Sequence, residues 1–201
     1  MPSERFHNLK PIKKRNFLKM AYREFALHSY EGASITRLVF DLKMAKGSVY
    51  QYFIDKHDLY QYLIEHAENQ FEELIAKTCP VPKENSSFND WLTKVTLIQV
   101  KFLLAFPSYA RLFIRQRADF NEPELVWFMH KNLKEAELNC KMNMIDEHKY
   151  QLVQIPFLLF NFIINSEEID LNQIINSDSS IEVATDKLLY LCEAFLQKPN
   201  Y

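Results

Sequence analysis

An all-α fold is predicted by three observations: scarce glycine, apolar residues recurring three and four positions apart, and no convincing alternating stretch. The 201-residue chain is 48% hydrophobic and 25% charged, and it holds two glycines, Gly32 and Gly47. Average glycine usage is roughly 7%, and all-β chains need still more for their turns. A chain this poor in Gly and rich in Leu, Phe, Lys, Glu and Asn favours helices. The wide separation of the two glycines also excludes the dinucleotide fingerprint and the phosphate loop, which need several glycines within a few residues. We expect about nine helices. The length allows one or two domains.

The elements follow in order. From Ile12 to His28, residues Phe17, Leu18, Ala21, Tyr22 and Phe25 form one stripe with Lys13, Lys14, Lys19 and Glu24 opposite, which is an amphipathic helix. Ser34 is an N-cap for a short second helix carrying Leu38, Val39 and Leu42 on one face, and Lys43-Met44-Ala45 forms a tight turn. A third short helix runs from Lys46 to Tyr52. Asp55 then caps a long helix whose stripe is Leu59, Tyr62, Leu63, His66, Ala67, Gln70, Phe71 and Leu74. Pro80 and Pro82, followed by Lys83 to Ser87, mark the clearest linker.

Beyond the linker, Ser87 with Asp90 resembles a helix start, and Trp91, Val95, Ile98, Phe102 and Ala105 keep helical spacing up to Pro107. A shorter helix spans Ser108 to Ala118 with Leu112 and Phe113. Pro123 suits the first position of the next, which carries Val126, Trp127, His130, Leu133, Glu137 and Leu138. Residues from Asp146 to Ile164 read as an apolar helix kinked at Pro156. A last helix aligns Ile181, Ala184, Leu188, Leu191, Cys192 and Phe195.

Net charge is −2, but it is unevenly spread: residues 1–60 carry eleven Lys/Arg against six Asp/Glu, and residues 61–201 carry thirteen against twenty. A basic head on an acidic body is expected when one end meets a polyanion, although a solvated basic face gives the same asymmetry. Cys79, Cys140 and Cys192 are far apart and lack metal-ligand spacing, so neither disulfides nor a metal site nor a cofactor is expected. No signal-peptide core follows Lys10, Lys13, Lys14 and Arg15, and the longest apolar stretch is too short to span a bilayer. The expectation is a cytoplasmic protein with no membrane partner.

The informative stretch runs Gly32-Ala33-Ser34-Ile35-Thr36-Arg37-Leu38, then Ala45-Lys46-Gly47-Ser48-Val49-Tyr50-Gln51-Tyr52-Phe53-Ile54-Asp55-Lys56-His57-Asp58-Leu59. It is two short helices joined by a tight turn, the second bearing small and polar residues at its start. A helix entering a major groove roughly 12 Å wide needs small side chains for approach, donors for phosphates and a few residues that reach base edges. Over residues 12–60 the sequence resembles the DNA-binding domain of TetR-family transcriptional regulators, whose recognition helix reads K-G-S-V-Y-x-Y-F followed by x-x-K-x-x-L. Ala21, Phe25 and Tyr30 belong to the same likeness. It departs from the family at Ser29 and Lys43, where Gly is usual.

The resemblance implies a three-helix head at residues 1–55 and a ligand-binding, dimerising body at 56–201, joined by the helix that begins at Lys56. Lys46 and Ser48 would start the recognition helix beside a phosphate. Gly47 would allow close backbone approach, and Tyr50 and Tyr52 would offer a phenol to phosphate. Gln51 is the leading base reader, able to pair with adenine N6 and N7, though phosphate or water is an open alternative. Lys56, Thr36 and Arg37 would hold the DNA backbone. Val49 and Phe53 read as core of the head. Tyr50 can also be half-buried packing, and Lys43 a solvated turn residue.

In the body, Phe102, Phe106, Tyr109, Phe113, Trp127, Phe128, Phe157 and Phe160 can line an apolar pocket or form ordinary core, with Gln154 and Asn161 as polar groups near the Pro156 kink. Phe157, Leu158, Ile164, Leu188, Leu191 and Phe195 are the dimer surface that the family implies. The function implied is a homodimeric repressor on a palindromic double-stranded operator, released by an unidentified small apolar or amphipathic effector. One alternative is a helix-turn-helix regulator or DNA-organising protein controlled by protein contacts. A remote one is an α-helical enzyme, but the six histidines show no catalytic or ligand spacing, and no enzyme is expected.

Overall fold

The computed structural model describes residues 2–84, 86–120 and 125–141, with backbone alone for 117–120 and 125–131. Among the described residues the chain forms eight helices and no strand. Helix α1 spans Glu4–His7 and buries Phe6. Helix α2, Pro11–Leu27, has its proline in the first turn and buries Phe17, Leu18, Ala21, Tyr22 and Phe25, the predicted stripe. Helix α3, Ile35–Asp41, starts at Ser34, whose hydroxyl accepts from the Arg37 N–H.

The turn after α3 is a Schellman closure. Met44 N–H donates to Val39 O at 2.9 Å and Lys43 N–H to Phe40 O at 3.1 Å. Lys43 occupies the left-handed position, with φ 52°. A β-carbon is strained there, which is why glycine is usual at such a site.

Helix α4, Lys46–Tyr50, follows, and α5 runs over Lys56–Thr78. Asp55 Oδ1 accepts from Asp58 N–H at 2.8 Å, while Asp58 Oδ2 accepts from Ile54 N–H at 3.0 Å, a reciprocal cap. Helix α5 buries a wider face than the predicted stripe: Tyr60, Ile64 and Ile75 join Leu59, Leu63, Ala67 and Phe71, whereas Gln70 is exposed. Helix α6, Phe88–Ala105, starts on Ser87, which accepts from Asp90 N–H at 3.2 Å. Helices α7, Pro107–Phe120, and α8, Leu125–Asn139, complete the described set. On α8, Leu133 and Glu137 of the predicted stripe are buried together with Ala136, whereas Leu138 is 73% exposed. Pro123 and the helices predicted over 146–164 and 181–195 lie outside the described residues.

The chain divides into two compact units. Met1–Gln70 and Pro107–Pro123 form the first, so it takes in α7, a segment beyond the linker. Its centre is aromatic: Phe6 lies 5.5 Å from Phe17 and 4.9 Å from Phe53 between ring centroids, and Phe17 stacks on Phe53 at 5.9 Å. Helix α7 packs on α2, with Tyr109 4.2 Å from Tyr22. Arg115 donates to Ala26 O at 3.1 Å and Leu27 O at 3.2 Å, satisfying carbonyls at the end of α2. The Tyr22 hydroxyl donates to Leu63 O at 2.7 Å and lies 2.9 Å from His66 Nδ1. Burial, and then the nearby Lys14 charge, hold the His66 imidazole below its ordinary value.

Phe71–Phe106 and the chain from Glu124 on form the second unit. There Phe71 packs on Phe102 at 5.2 Å, and Asn139 Nδ2 donates to Pro82 O at 2.9 Å. Among the described residues no single helix is long and apolar enough to cross a membrane.

Candidate nucleic-acid interface

Helices α3 and α4 are short, and each has one buried side that holds the other side outward. Leu38 and Val39 anchor α3, and Val49 at 1% exposure anchors α4, with Phe53 at 2% just beyond it. The predicted core role of Val49 and Phe53 is therefore observed. With those residues inward, Thr36, Lys46, Gly47 and Gln51 are exposed, Ser48 is half-buried and Tyr50 is 48% exposed. No acidic residue occurs from Leu42 to Ile54, while Lys43 and Lys46 do. The resulting face is small-residued at its start and carries lysines without acidic residues, which suits a phosphate-lined groove.

Gly47 is the barest point of this face. A β-carbon placed there meets nothing within 4 Å, and its φ is not positive. Neither crowding within the protein nor backbone geometry requires glycine at this position.

Three expected contacts sit differently from the rest. Tyr52 is 8% exposed and packs in the aromatic core, 5.8 Å from Phe6 and 5.9 Å from Phe17, so it does not share the outward face with Tyr50. The two tyrosines are a little over half a helical turn apart, so one face can expose only one of them.

Arg37 is engaged within the protein. Its Nε and Nη2 donate to Glu24 Oε1 at 3.0 and 2.6 Å, and Nη2 also donates to Gly32 O at 2.7 Å. Glu24 also accepts from Ser34 N–H at 2.7 Å. Burial of the Glu24 carboxyl opposes its charge, but the hydrogen bonds from Arg37 and Ser34 outweigh it and hold the group below its ordinary value. The same bond to Glu24 raises the Arg37 guanidinium.

Lys56 Nζ donates to Tyr30 O at 2.9 Å and lies 4.5 Å from the centre of the Tyr30 ring. It thereby ties the loop after α2 to the start of α5.

Sequence reasoning missed the segment ahead of α2. Ser3 donates through its N–H to Tyr52 O at 2.8 Å and through Oγ to Gln51 O at 2.7 Å. The signal was present, since Ser3 followed by Glu4 is a helix-start pair. The α1–α2 region also borders an open groove of about 900 Å³ lined by Lys10, Lys13, Lys19, Ile12 and Met44.

Among the expected effector residues, Phe102 is buried and lies 5.0 Å from Phe106, which is 45% exposed. Tyr109 and Phe113 belong to the first unit, where Tyr109 packs on Tyr22 and His66. The side chains of Trp127 and Phe128 and the residues Gln154, Phe157, Phe160 and Asn161 lie outside the described residues, as do Leu158, Ile164, Leu188, Leu191 and Phe195.

A three-helix core that presents two short helices through a tight turn, with the second facing outward, defines a helix-turn-helix DNA-binding domain. Residues 17–63 match the model of the family described as bacterial regulatory proteins, tetR family. That match takes in most of α2, all of α3 and α4, and the start of α5. The chain is 27% identical over 112 residues to the HTH-type transcriptional repressor AcnR of Corynebacterium diphtheriae, a stretch covering 53% of this chain and 58% of that protein. In fold it is similar to a TetR family transcriptional regulator from Chloroflexus aurantiacus, with TM-score 0.71, 20% identity, and 96% and 97% of the two chains covered. It is also similar to the fatty acid degradation regulator FadR from Bacillus halodurans, with TM-score 0.61, 15% identity, and 87% and 97% covered.

Proposed function

We propose that the chain is a sequence-specific transcriptional repressor that binds a palindromic operator as a homodimer and is released by a small apolar or amphipathic effector. The observation that carries the DNA-binding part is the outward face of α4, on which Lys46, Gly47, Tyr50 and Gln51 are exposed with no acidic residue among them. In this reading residues 1–55 are the DNA-binding head. Lys46, Ser48 and Tyr50 hold phosphates, Gly47 lies against the groove and Gln51 reads a base edge. Thr36 and Arg37 hold the backbone across the groove. Lys56, which holds the Tyr30 loop, contributes positive charge beside it. Tyr52 contributes by fixing the helix from behind.

The chain from Lys56 on forms the effector-binding and dimerising body. Pairing two heads follows from size, because a helix as short as α4 buries little area alone and two-fold pairing doubles it. Effector and DNA then oppose each other by reciprocal coupling, with α5 contributing residues to both compact units.

The test is recovery of bound duplexes from a random pool by the full chain, followed by titration of the enriched sequence at several salt concentrations. A two-fold-symmetric sequence with an affinity that falls steeply with salt is expected. Gln51→Ala is expected to erode discrimination at one position in each half-site while leaving random-duplex binding unchanged. Equal loss on both duplexes would overturn the base-reading role of Gln51, and enrichment of no sequence would overturn the reading as a whole.

A further inference from the structure

We infer that the segment ahead of α2 is a strap that positions the recognition helix, with Ser3 as its clamp and Phe6 as its anchor. The inference rests on the reading of α4 as the DNA-reading helix. The family match begins at residue 17 and leaves this segment unassigned.

A five-residue helix has almost no hydrogen-bonded interior, and its last carbonyls lack intrahelical partners. Here the carbonyls of the C-cap residue Gln51 and of Tyr52 after it are satisfied from outside. Ser3 Oγ donates to Gln51 O at 2.7 Å, and Ser3 N–H donates to Tyr52 O at 2.8 Å. Ser3 stands at the N-cap of α1, where a serine hydroxyl ordinarily accepts from its own helix, yet it makes no such bond. Its hydroxyl instead bonds the backbone of Gln51, the residue assigned to base reading.

Phe6 fixes where Ser3 can be. It is 0% exposed, and its ring lies 4.9 Å from Phe53, 5.5 Å from Phe17 and 5.8 Å from Tyr52. The strap therefore joins the backbone under Gln51 to the same aromatic core that α2 and α4 share. An unstrapped α4 would fray from its C-terminal end, and Gln51 would sample several directions before meeting a base. Ordering it would then fall to the DNA complex and weaken selective binding, whereas binding to random phosphates needs no such order.

Ser3 has φ −69°, which proline adopts, so three variants form a graded series. Ser3→Thr keeps both donors, Ser3→Ala removes the hydroxyl, and Ser3→Pro removes the hydroxyl and the N–H. For each full-length variant the ratio of affinities for the enriched duplex and a scrambled duplex is measured, together with hydrogen exchange at the amides of Gln51, Tyr52 and Phe53. Relative to wild type, the ratio is expected to be unchanged in Ser3→Thr, about threefold lower in Ser3→Ala and about tenfold lower in Ser3→Pro, one hydrogen bond at a time. Amide exchange is expected to quicken in the same order.

A Ser3→Pro chain with wild-type ratio and exchange overturns the strap. Faster exchange with an unchanged ratio also overturns it, because Ser3 then supports the fold without setting readout. A wild-type chain that prefers no duplex overturns the DNA-binding reading itself and the readout role of the strap with it.

Discussion

Replacing Gly47 by alanine is expected to make the protein more stable and its DNA binding weaker. In the free protein the added β-carbon meets nothing within 4 Å, and Gly47 does not use a positive φ. Alanine therefore brings its helix preference without a steric cost, about 0.5–1 kcal/mol. For a chain of this size that corresponds to a rise in Tm of roughly 1–4 °C. On DNA the same methyl group stands between the α4 backbone and the groove wall. If it prevents one close approach, the loss is comparable to that of a mismatched base pair, about 1–3 kcal/mol, or roughly 5- to 150-fold in affinity. The assay pairs a thermal melt of the variant with its titration against the enriched duplex. A variant that melts higher and binds as tightly as wild type would refute the assignment of this face to the groove, since the methyl would then project into solvent in the complex as well.

Other substitutions probe neighbouring features. Lys43→Gly is expected to raise stability by about 1 kcal/mol, because it relieves a β-carbon at φ 52°, and chemical denaturation would show whether it does. Lys56→Ala is expected to lower the melting temperature as well as DNA affinity, since it removes a charge-assisted bond to Tyr30 O and a cation–π contact together worth about 2–3 kcal/mol. Lost affinity with an unchanged melt would mean that Lys56 acts on phosphate alone. Glu24→Gln is expected to lower the melting temperature at neutral pH. The folded-state value of the Glu24 carboxyl lies below the ordinary 4.5, so its contribution is complete above 4.5 and lost as pH falls through the folded-state value. The gap between wild type and Glu24→Gln should therefore close in acid, and a gap independent of pH would show that charge is not its source.

Much of the head was legible because its signals are local. The Ser34 and Ser87 caps act over three residues, the α2 stripe repeats within one helix, and each forms as its spacing requires. The inward positions of Val49 and Phe53 were equally readable. What the sequence could not show was chemistry that depends on a distant partner. Arg37 and Lys56 look like free cations in sequence, yet their partners are Glu24 on α2 and the carbonyl of Tyr30. Leu138 looks like core by its spacing, but α8 turns Ala136 inward beside the expected Leu133 and Glu137 and leaves Leu138 exposed. A helical pattern proposes a face without specifying what covers it.

By itself the sequence determined that this chain is helical, where α2, α3 and α4 lie and turn, and that residues 46–53 resemble a helix that reads DNA. These properties follow from glycine scarcity, capping residues and apolar spacing, which act over one or two turns of chain. The tertiary structure alone decided that Tyr50 faces out while Tyr52 lies in the core, and that α7 returns to pack on α2. It also decided that Ser3, forty-eight residues away, holds the backbone of Gln51. The physical reason is the same in each case: an exposed side chain or an unsatisfied carbonyl near a helix end has several possible partners, and packing of distant segments selects among them.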